Sequence, residues 1–323
     1  MAPVSPIQTT RLQNGGNDSE LKSPRLDPNV LDVFLGNLHI KPWFASFYPE
    51  ELVGPRTEKL FVCPHCFKYV REVMPFLGHT AICANDPSNP PGRLIYEKAP
   101  FTIYEVDGEE HKLYTQNLSL FAKLFLETKS VFYDVTTFLY YVLVYADPTQ
   151  KQATPQVVGF FSKEKMSWDN NNLACILVFP PWQKKGFGQI LMGASYELSK
   201  REGRLGGPEK PLSELGRKGY ISFWSATIAR LLLSQPVKKT LTVREIRDET
   251  YILPEDIMTT LKEMKVLDRR KKGQASLAIN KAELRVWAEK MRVSMVPPID
   301  PGAFILEDEE EAVEEDEEME VDD

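Results

Sequence analysis

Four residues constrain this chain more than any others: Cys63, Cys66, His79 and Cys83, spaced C-x2-C-x12-H-x3-C. Two thiolates on a tight knuckle, followed by an imidazole and a thiolate about one helical turn apart, can converge tetrahedrally on zinc. The alternative is four buried, unpaired side chains. It fits poorly, because three of the four cysteines and one of the four histidines fall in this frame. Four protein ligands leave no open position for water, so a bound Zn2+ is expected to be structural. The helix predicted around Pro75–Cys83 offers no Arg or Lys to base edges, which favours a scaffold finger over one that reads nucleic acid. Four cysteines are too few for a disulfide scaffold in a chain of 323 residues, so a reducing cytosol or nucleus fits best.

That length allows two or three packed units, each with its own core. The longest fully apolar run, Phe138 to Ala146, has nine residues, whereas a bilayer needs about 20, so no membrane span is expected. The opening Met-Ala-Pro-Val-Ser-Pro has no basic stretch leading into an apolar one, and no secretory signal is read there. The net charge of −7 is unevenly spread: residues 307–323 carry 13 acidic side chains and no basic one, which leaves residues 1–306 at +6. A mildly basic body tolerates phosphate-rich ligands, and an acidic tail attracts basic partners.

Residues 1–30, rich in Pro, Ser, Asn and Gly, are predicted to be disordered, as is the acidic tail over 301–323. Strands are predicted at Phe101–Val106, Phe138–Tyr145, Val157–Ser162 and Leu173–Phe179. Between the first two lies a helix, with Asn117 as a candidate cap and Leu118, Phe121, Leu124 and Phe125 on its apolar face. A longer helix follows Gly186, with Phe187, Ile190, Leu191, Ala194 and Leu198 at helical spacing and Gly203 at its end. Tyr220–Leu233 reads as a further helix. Short capped helices at Thr242 and Leu253 stand at helix-turn-helix separation, and a basic turn at Arg269, Arg270, Lys271 and Lys272 with a strand over 276–279 could add a wing.

The turn Gln183-Lys-Lys-Gly-Phe-Gly lies between an apolar strand and an amphipathic helix. Glycines there let backbone N–H groups and the positive helix end face a pyrophosphate, with Lys184 and Lys185 adding charge. A plain helix-start loop is the competing reading. The turn lacks the Gly-Lys-Ser/Thr ending of an NTPase loop, which argues against ATP hydrolysis. Cys175, within the strand before the turn, reads on its own as a small core residue. Glu209, in Pro208-Glu-Lys-Pro, reads on its own as a solvated loop carboxylate.

Taken together, Asn172-Leu-Ala-Cys-Ile-Leu, Pro181–Leu191, Tyr196-Glu-Leu-Ser-Lys and Pro208-Glu-Lys-Pro-Leu-Ser-Glu-Leu-Gly resemble the MYST histone acetyltransferases. So do Pro90-Pro-Gly, Tyr133-Asp-Val and Gly159-Phe-Phe-Ser-Lys-Glu-Lys, and the likeness runs over roughly residues 30–290 in the family's order. A short chain with a finger and no recognisable chromo-type domain looks most like the fungal "something about silencing" subgroup. The resemblance implies a mixed α/β core shared with other N-acetyltransferases, an N-terminal zinc-finger flank and a C-terminal winged-helix-like flank. In this chain that gives residues 31–100 to the N-terminal region, with its C2HC finger at 60–83. Residues 101–216 become the acetyl-CoA-binding core and 217–300 the winged-helix-like part.

The same resemblance makes Glu209 the general base. It makes Cys175 either the carrier of an acetyl intermediate or, in direct transfer, a pocket wall. The direct route is favoured here, since no histidine lies near Cys175 in sequence. Leu177, Val178 and Phe179, then Lys184, Lys185, Gly186, Phe187, Gly188, Gln189 and Ile190, and also Ser213, are placed along the coenzyme. Lys129 matches a lysine that becomes self-acetylated in relatives; a solvent-facing helix-end lysine is the other possibility. Two departures stand out: Gln189 where Lys or Arg is common, and Arg217-Lys-Gly where relatives continue with apolar residues. The implied function is transfer of acetyl from acetyl-CoA to lysines of a core-histone tail, histone four foremost. The implied setting is nuclear, within a multiprotein complex on the nucleosome. Two other readings compete: a zinc-finger and winged-helix DNA-binding regulator using Arg269–Lys272, and an acetyltransferase for non-histone amines.

Overall fold

The computed structural model describes residues 27–84, 86, 88–149, 154–236, 241–267 and 279–305. The basic turn, most of the expected wing strand, the segment before Asp27 and the acidic run over 307–323 lie outside the described residues.

The N-terminal unit is a four-stranded sheet. β1 (Val30–Leu35) turns at Gly36, in the left-handed region at φ +61°, into β2 (Leu38–Ile40). A short helix, α1 (Glu50–Val53), leads to β3 (Thr57–Val62), which lies parallel to β1 and antiparallel to β4 (Tyr69–Val70). The finger helix α2 (Val73–Ile82) follows.

The central sheet is an antiparallel meander of five strands in sequence order: β5 (Arg93–Lys98), β6 (Phe101–Asp107), β7 (Phe138–Tyr145), β8 (Gln156–Glu164) and β9 (Cys175–Val178). Helix α3 (Lys112–Lys123) joins β6 to β7, and α4 (Phe187–Arg201) follows β9. Strand side chains alternate between faces, and β7 and β8 divide accordingly. Tyr140, Val142, Val144 and Phe160 pack with Leu118 and Phe121 of α3 and with the N-terminal sheet. Tyr141, Leu143 and Phe161 pack with Ile190, Leu191 and Ala194 of α4. Phe160 and Phe161 are fully buried on opposite faces, each worth about 1.5–3 kcal/mol relative to an exposed ring. This is the mixed α/β, acetyltransferase-like core with an N-terminal zinc-finger region that the sequence implies.

The C-terminal unit gathers α5 (Glu214–Ser234), α6 (Val243–Thr250), α7 (Pro254–Met264) and α8 (Lys281–Lys290) around Trp224, Ile228, Ile246, Ile257 and Leu261. Thr242 and Glu245 form a reciprocal capping box at the start of α6. Leu267 and Ile279 form an antiparallel bridge at the two ends of the undescribed wing segment.

Several sequence expectations are corrected. Asn117 is not a cap: α3 begins five residues earlier, and Asn117 lies within it, donating from Nδ2 to the Cys66 carbonyl at 3.3 Å. α5 starts at Glu214 rather than Tyr220, because Ser213 Oγ accepts from the Gly216 amide at 3.1 Å and caps it. Residues 301–305, expected to belong to the disordered tail, are packed: Phe304 is buried against Tyr96 and stacked by the Arg201 guanidinium.

Candidate active site

Glu209 reaches the sheet through backbone pairing. The segment before it lies parallel to the lead-in of β9: Leu173 and Pro208 form a bridge, the Asn172 amide donates to the Gly207 carbonyl at 2.9 Å, and the Glu209 amide donates to the Leu173 carbonyl at 2.8 Å. Gly206 permits this approach, because a Cβ there would lie 2.0 Å from the Asn170 carbonyl oxygen. Glu209 therefore stands beside Cys175 at the start of β9.

Both line a cavity of about 340 Å³ together with Lys129, Tyr140, Ser162 and Glu164. Burial pushes the Glu209 carboxyl above its ordinary range; the Glu164 charge adds to that, and Lys129 opposes it. Lys129 is 5% exposed, so it is not the solvent-facing helix-end residue that was the alternative. Burial lowers the pKa of its ammonium, with Cys175 and Glu209 opposing that shift. The cavity continues past Glu164, Glu209 and Lys210 into a second depression, of about 470 Å³, flanked by Asp169, Glu255 and the fully exposed ring of Trp168.

At the other end of β9 a 3-10 turn (Pro180–Trp182) leads into the Gly/Lys turn. Lys184 (φ +63°) and Gly186 (φ +88°) adopt left-handed conformations, and Gln183 Nε2 donates to the Val178 carbonyl at 2.9 Å, closing the loop. Gly186 caps α4 with no side-chain hydrogen bond, so the amides of its first turn face outward, a ready site for phosphate oxygens. β9 is the last strand of the sheet. Phe179 donates to Val158 at 2.9 Å, and in an antiparallel ladder the direction alternates. The Ile176 and Val178 amides therefore face away from β8, along an open edge joining the turn to the Glu209 cavity.

The expected coenzyme residues separate into two sets. Lys184, Lys185, Gly186 and Gly188 lie on the turn and the start of α4, and of the three strand residues only Val178 turns its amide to the open edge; the backbone of Leu177 and Phe179 pairs with β8, and both side chains are buried. Phe187 and Ile190 turn their side chains into the core, Gln189 Nε2 donates to the Gly219 carbonyl at 3.4 Å, and Ser213 Oγ is used as a helix cap. The structure also brings in Tyr140, Ser162, Glu164 and Lys210, which sequence reasoning missed. They come from β7, β8 and a loop, and no local pattern marks such non-local neighbours.

Ligand atoms of Cys63, Cys66, His79 and Cys83 all lie within 4.8 Å of one another, with Cys66 Sγ 3.2 Å from His79 Nε2. The hydrogen bond between the two sulfurs lowers the Cys63 thiol and raises that of Cys66, so in the metal-free pair one proton is shared between them. Three soft sulfurs and an imidazole at this separation fit zinc.

A five-stranded mixed α/β sheet unit, a left-handed Gly/Lys turn after its edge strand and a Cys3His knuckle make up an acetyltransferase-like core with an appended zinc-finger region. Residues 89–303 match the MOZ/SAS family, and residues 28–83 match the MYST family zinc finger domain. The chain belongs to this MOZ/SAS, or MYST, family. It is 44% identical over 244 residues to "Histone acetyltransferase MOF" of Drosophila melanogaster, covering 76% of this chain and 28% of that protein. The figures are 38% over 269 residues for "Histone acetyltransferase Tip60 homolog" of Caenorhabditis elegans, covering 82% and 57%. They are 40% over 243 residues for "Histone acetyltransferase of the MYST family 1" of Arabidopsis thaliana, covering 75% and 52%. The chain thus spans about a quarter to somewhat over half the length of these relatives.

Proposed function

We propose that this protein transfers acetyl from acetyl-CoA to lysine side chains of a core-histone tail, with Glu209 as general base. The observation that carries the reading is the cavity in which Glu209 stands with Cys175 and the buried Lys129, at the end of an open strand edge that leads from the Gly/Lys turn. A lysine acceptor has a reference pKa of about 10.4 and enters as an ammonium. Glu209 takes its proton, directly or through one water, as the nitrogen attacks. Acetyl-CoA supplies the activated thioester. The Ile176 and Val178 amides offer donors where negative charge develops on the acyl oxygen, and Lys184, Lys185 and the first turn of α4 hold the pyrophosphate. Cys63, Cys66, His79 and Cys83 hold a structural zinc.

The test is acetylation of histone-tail peptides, histone four first, by the full chain with radiolabelled acetyl-CoA. Coenzyme binding without any transfer to peptide would redirect the reading to other amines. A nuclear setting on chromatin, other subunits and a kinship with the fungal "something about silencing" subgroup belong to the same proposal, as does DNA contact through Arg269–Lys272. Lys129, buried in the cavity that Glu209 also lines, is proposed as a self-acetylation site.

Two substitutions probe the machinery. Cys175→Ala is expected to keep at least about half the turnover: Cys175 shares its cavity with Lys129 and Glu209, and no histidine is among the described residues that line it. Loss of activity with acetyl-CoA binding intact would instead establish an acetyl-cysteine. Gly186→Val forces a branched residue into a φ of +88°, a strain of about 1–2 kcal/mol. It should weaken acetyl-CoA binding by roughly tenfold in calorimetry; unchanged affinity would remove this turn from the coenzyme site.

A further inference from the structure

Lys210 adjoins Glu209 in sequence and lines both the catalytic cavity and the depression outside it. Its ammonium nevertheless points elsewhere. Nζ lies 2.9 Å from Asp256 Oδ1 and 3.9 Å from Glu255 Oε1, both in the first turn of α7. The charges that bear on the Glu209 carboxyl are those of Glu164 and Lys129, not its sequence neighbour.

Asp256 is an unusual partner. Its side chain is 7% exposed, and Oδ2 is buried with no hydrogen-bond partner among the described residues. Burying a carboxylate is costly unless a cation accompanies it, and the ion pairs place Lys210 in that role. The pair also joins two units of the fold, the loop pinned to β9 and the C-terminal helices.

We propose that Asp256, assisted by Glu255, is a positioning residue that sequesters the Lys210 ammonium and so keeps the catalytic cavity open to a cationic acceptor. The inference rests on Glu209 being the base of the proposed reaction. A lysine stem carries four flexible carbons. Released from Asp256, Lys210 falls within reach of Glu209 and Glu164, competes with the incoming ammonium and ties up the base in an ion pair. The groups facing Glu209 are Glu164 from β8, Lys129 from the segment after α3 and Cys175 from β9; a freed Lys210 adds a second cation to this set.

The experiment is a double-mutant cycle on the full chain, with a lysine-containing peptide and acetyl-CoA. Asp256→Asn should lower kcat/KM for the peptide about tenfold, the factor that one pKa unit on the base represents. The KM for acetyl-CoA should not change, and the acid limb of the pH profile should move to lower pH. Adding Lys210→Met should return both the rate and the limb to those of Lys210→Met alone, because the offending cation is gone. Losses that simply multiply in the double variant, or an acid limb that does not move, overturn the sequestration. If Asp256→Asn does not fold, Glu255→Lys replaces a side chain 62% exposed and offers Asp256 a rival cation; the same cycle with Lys210→Met then applies. A wild-type chain that acetylates no peptide overturns the proposed reaction and this inference together. A normal wild type with an equally active Asp256→Asn variant overturns this inference alone.

Discussion

Glu209→Gln should cost between 10² and 10⁴ in kcat while leaving the fold and acetyl-CoA affinity intact, because general-base assistance is of that size. At neutral pH only about one acceptor lysine in a thousand is unprotonated, so an enzyme without a base must wait for that fraction. Glutamine preserves the shape of the loop, whose register depends on the Glu209 amide bonding to Leu173 and not on the carboxylate. Steady-state rates with saturating peptide test this, and a variant within threefold of wild type would exclude Glu209 as the base.

The direction of the pH dependence follows from the same carboxyl. Its pKa is raised by burial first and by Glu164 second, with Lys129 opposing. Activity should therefore rise with pH through a value above the ordinary glutamate range of about 4.3. Glu164→Gln removes one raising influence and should move that limb to lower pH. The effect on stability has the opposite sign. A carboxyl whose pKa is higher in the folded state binds protons better folded than unfolded, so stability falls as pH rises through the folded value. At neutral pH the Glu209 charge therefore does not help the fold, and the glutamine variant should melt no lower than wild type.

What could be read from the sequence follows how local each feature is. The finger ligands, α4 and its glycine turn, and strands β6 to β8 are marked by spacing and periodicity within a few residues. β5 and the N-terminal sheet were not marked. β1 pairs with β3 across α1, β3 pairs with β4 across the knuckle, and β5 pairs with β6 in a tight hairpin; short mixed segments such as Arg93–Lys98 and Val30–Leu35 acquire strand character only from their partners. α8, anchored by little more than Leu284 and Ala288, shows equally little periodicity. The cavity around Glu209 is the least legible part. By pattern alone Glu209 is a solvated loop residue, and the family resemblance was needed to single it out. What places it in the cavity is the parallel bridge from Pro208 to Leu173, 35 residues earlier, and what shifts its carboxyl, besides burial, is the proximity of Glu164 and Lys129. The Lys210–Asp256 pair, drawn from a loop and a helix of different units, has no local signature.

Removing the metal should have consequences beyond the finger. α2 buries only Phe76 and leaves Val73, Met74, Leu77 and Ile82 between 47% and 82% exposed, so its apolar face contributes little to docking. The ligands at and just beyond its C-terminal end, His79 and Cys83, are what join it to the Cys63–Cys66 knuckle. Between those two cysteines and β4 sits Phe67, in the left-handed region at φ +59°, its ring against Tyr114, Phe121 and Phe179. Phe179 directly follows the edge strand β9 and precedes the Pro180–Trp182 turn that leads to the proposed coenzyme site. The Cys66 carbonyl also accepts from Asn117 in α3. Structural zinc contributes about 10–16 kcal/mol of apparent binding energy in finger peptides at pH 7, comparable to the roughly 5–15 kcal/mol that holds a whole domain folded. Chelation, or His79→Ala, should therefore release α2, loosen Phe67 from the catalytic core, lower the melting temperature by ten degrees or more and weaken acetyl-CoA binding in parallel. Differential scanning calorimetry and coenzyme titration on the same metal-stripped sample separate the outcomes. A chain that loses its zinc yet keeps both its transition and its coenzyme affinity would mean that the finger folds on its apolar contacts alone and that its metal does nothing for the catalytic sheet.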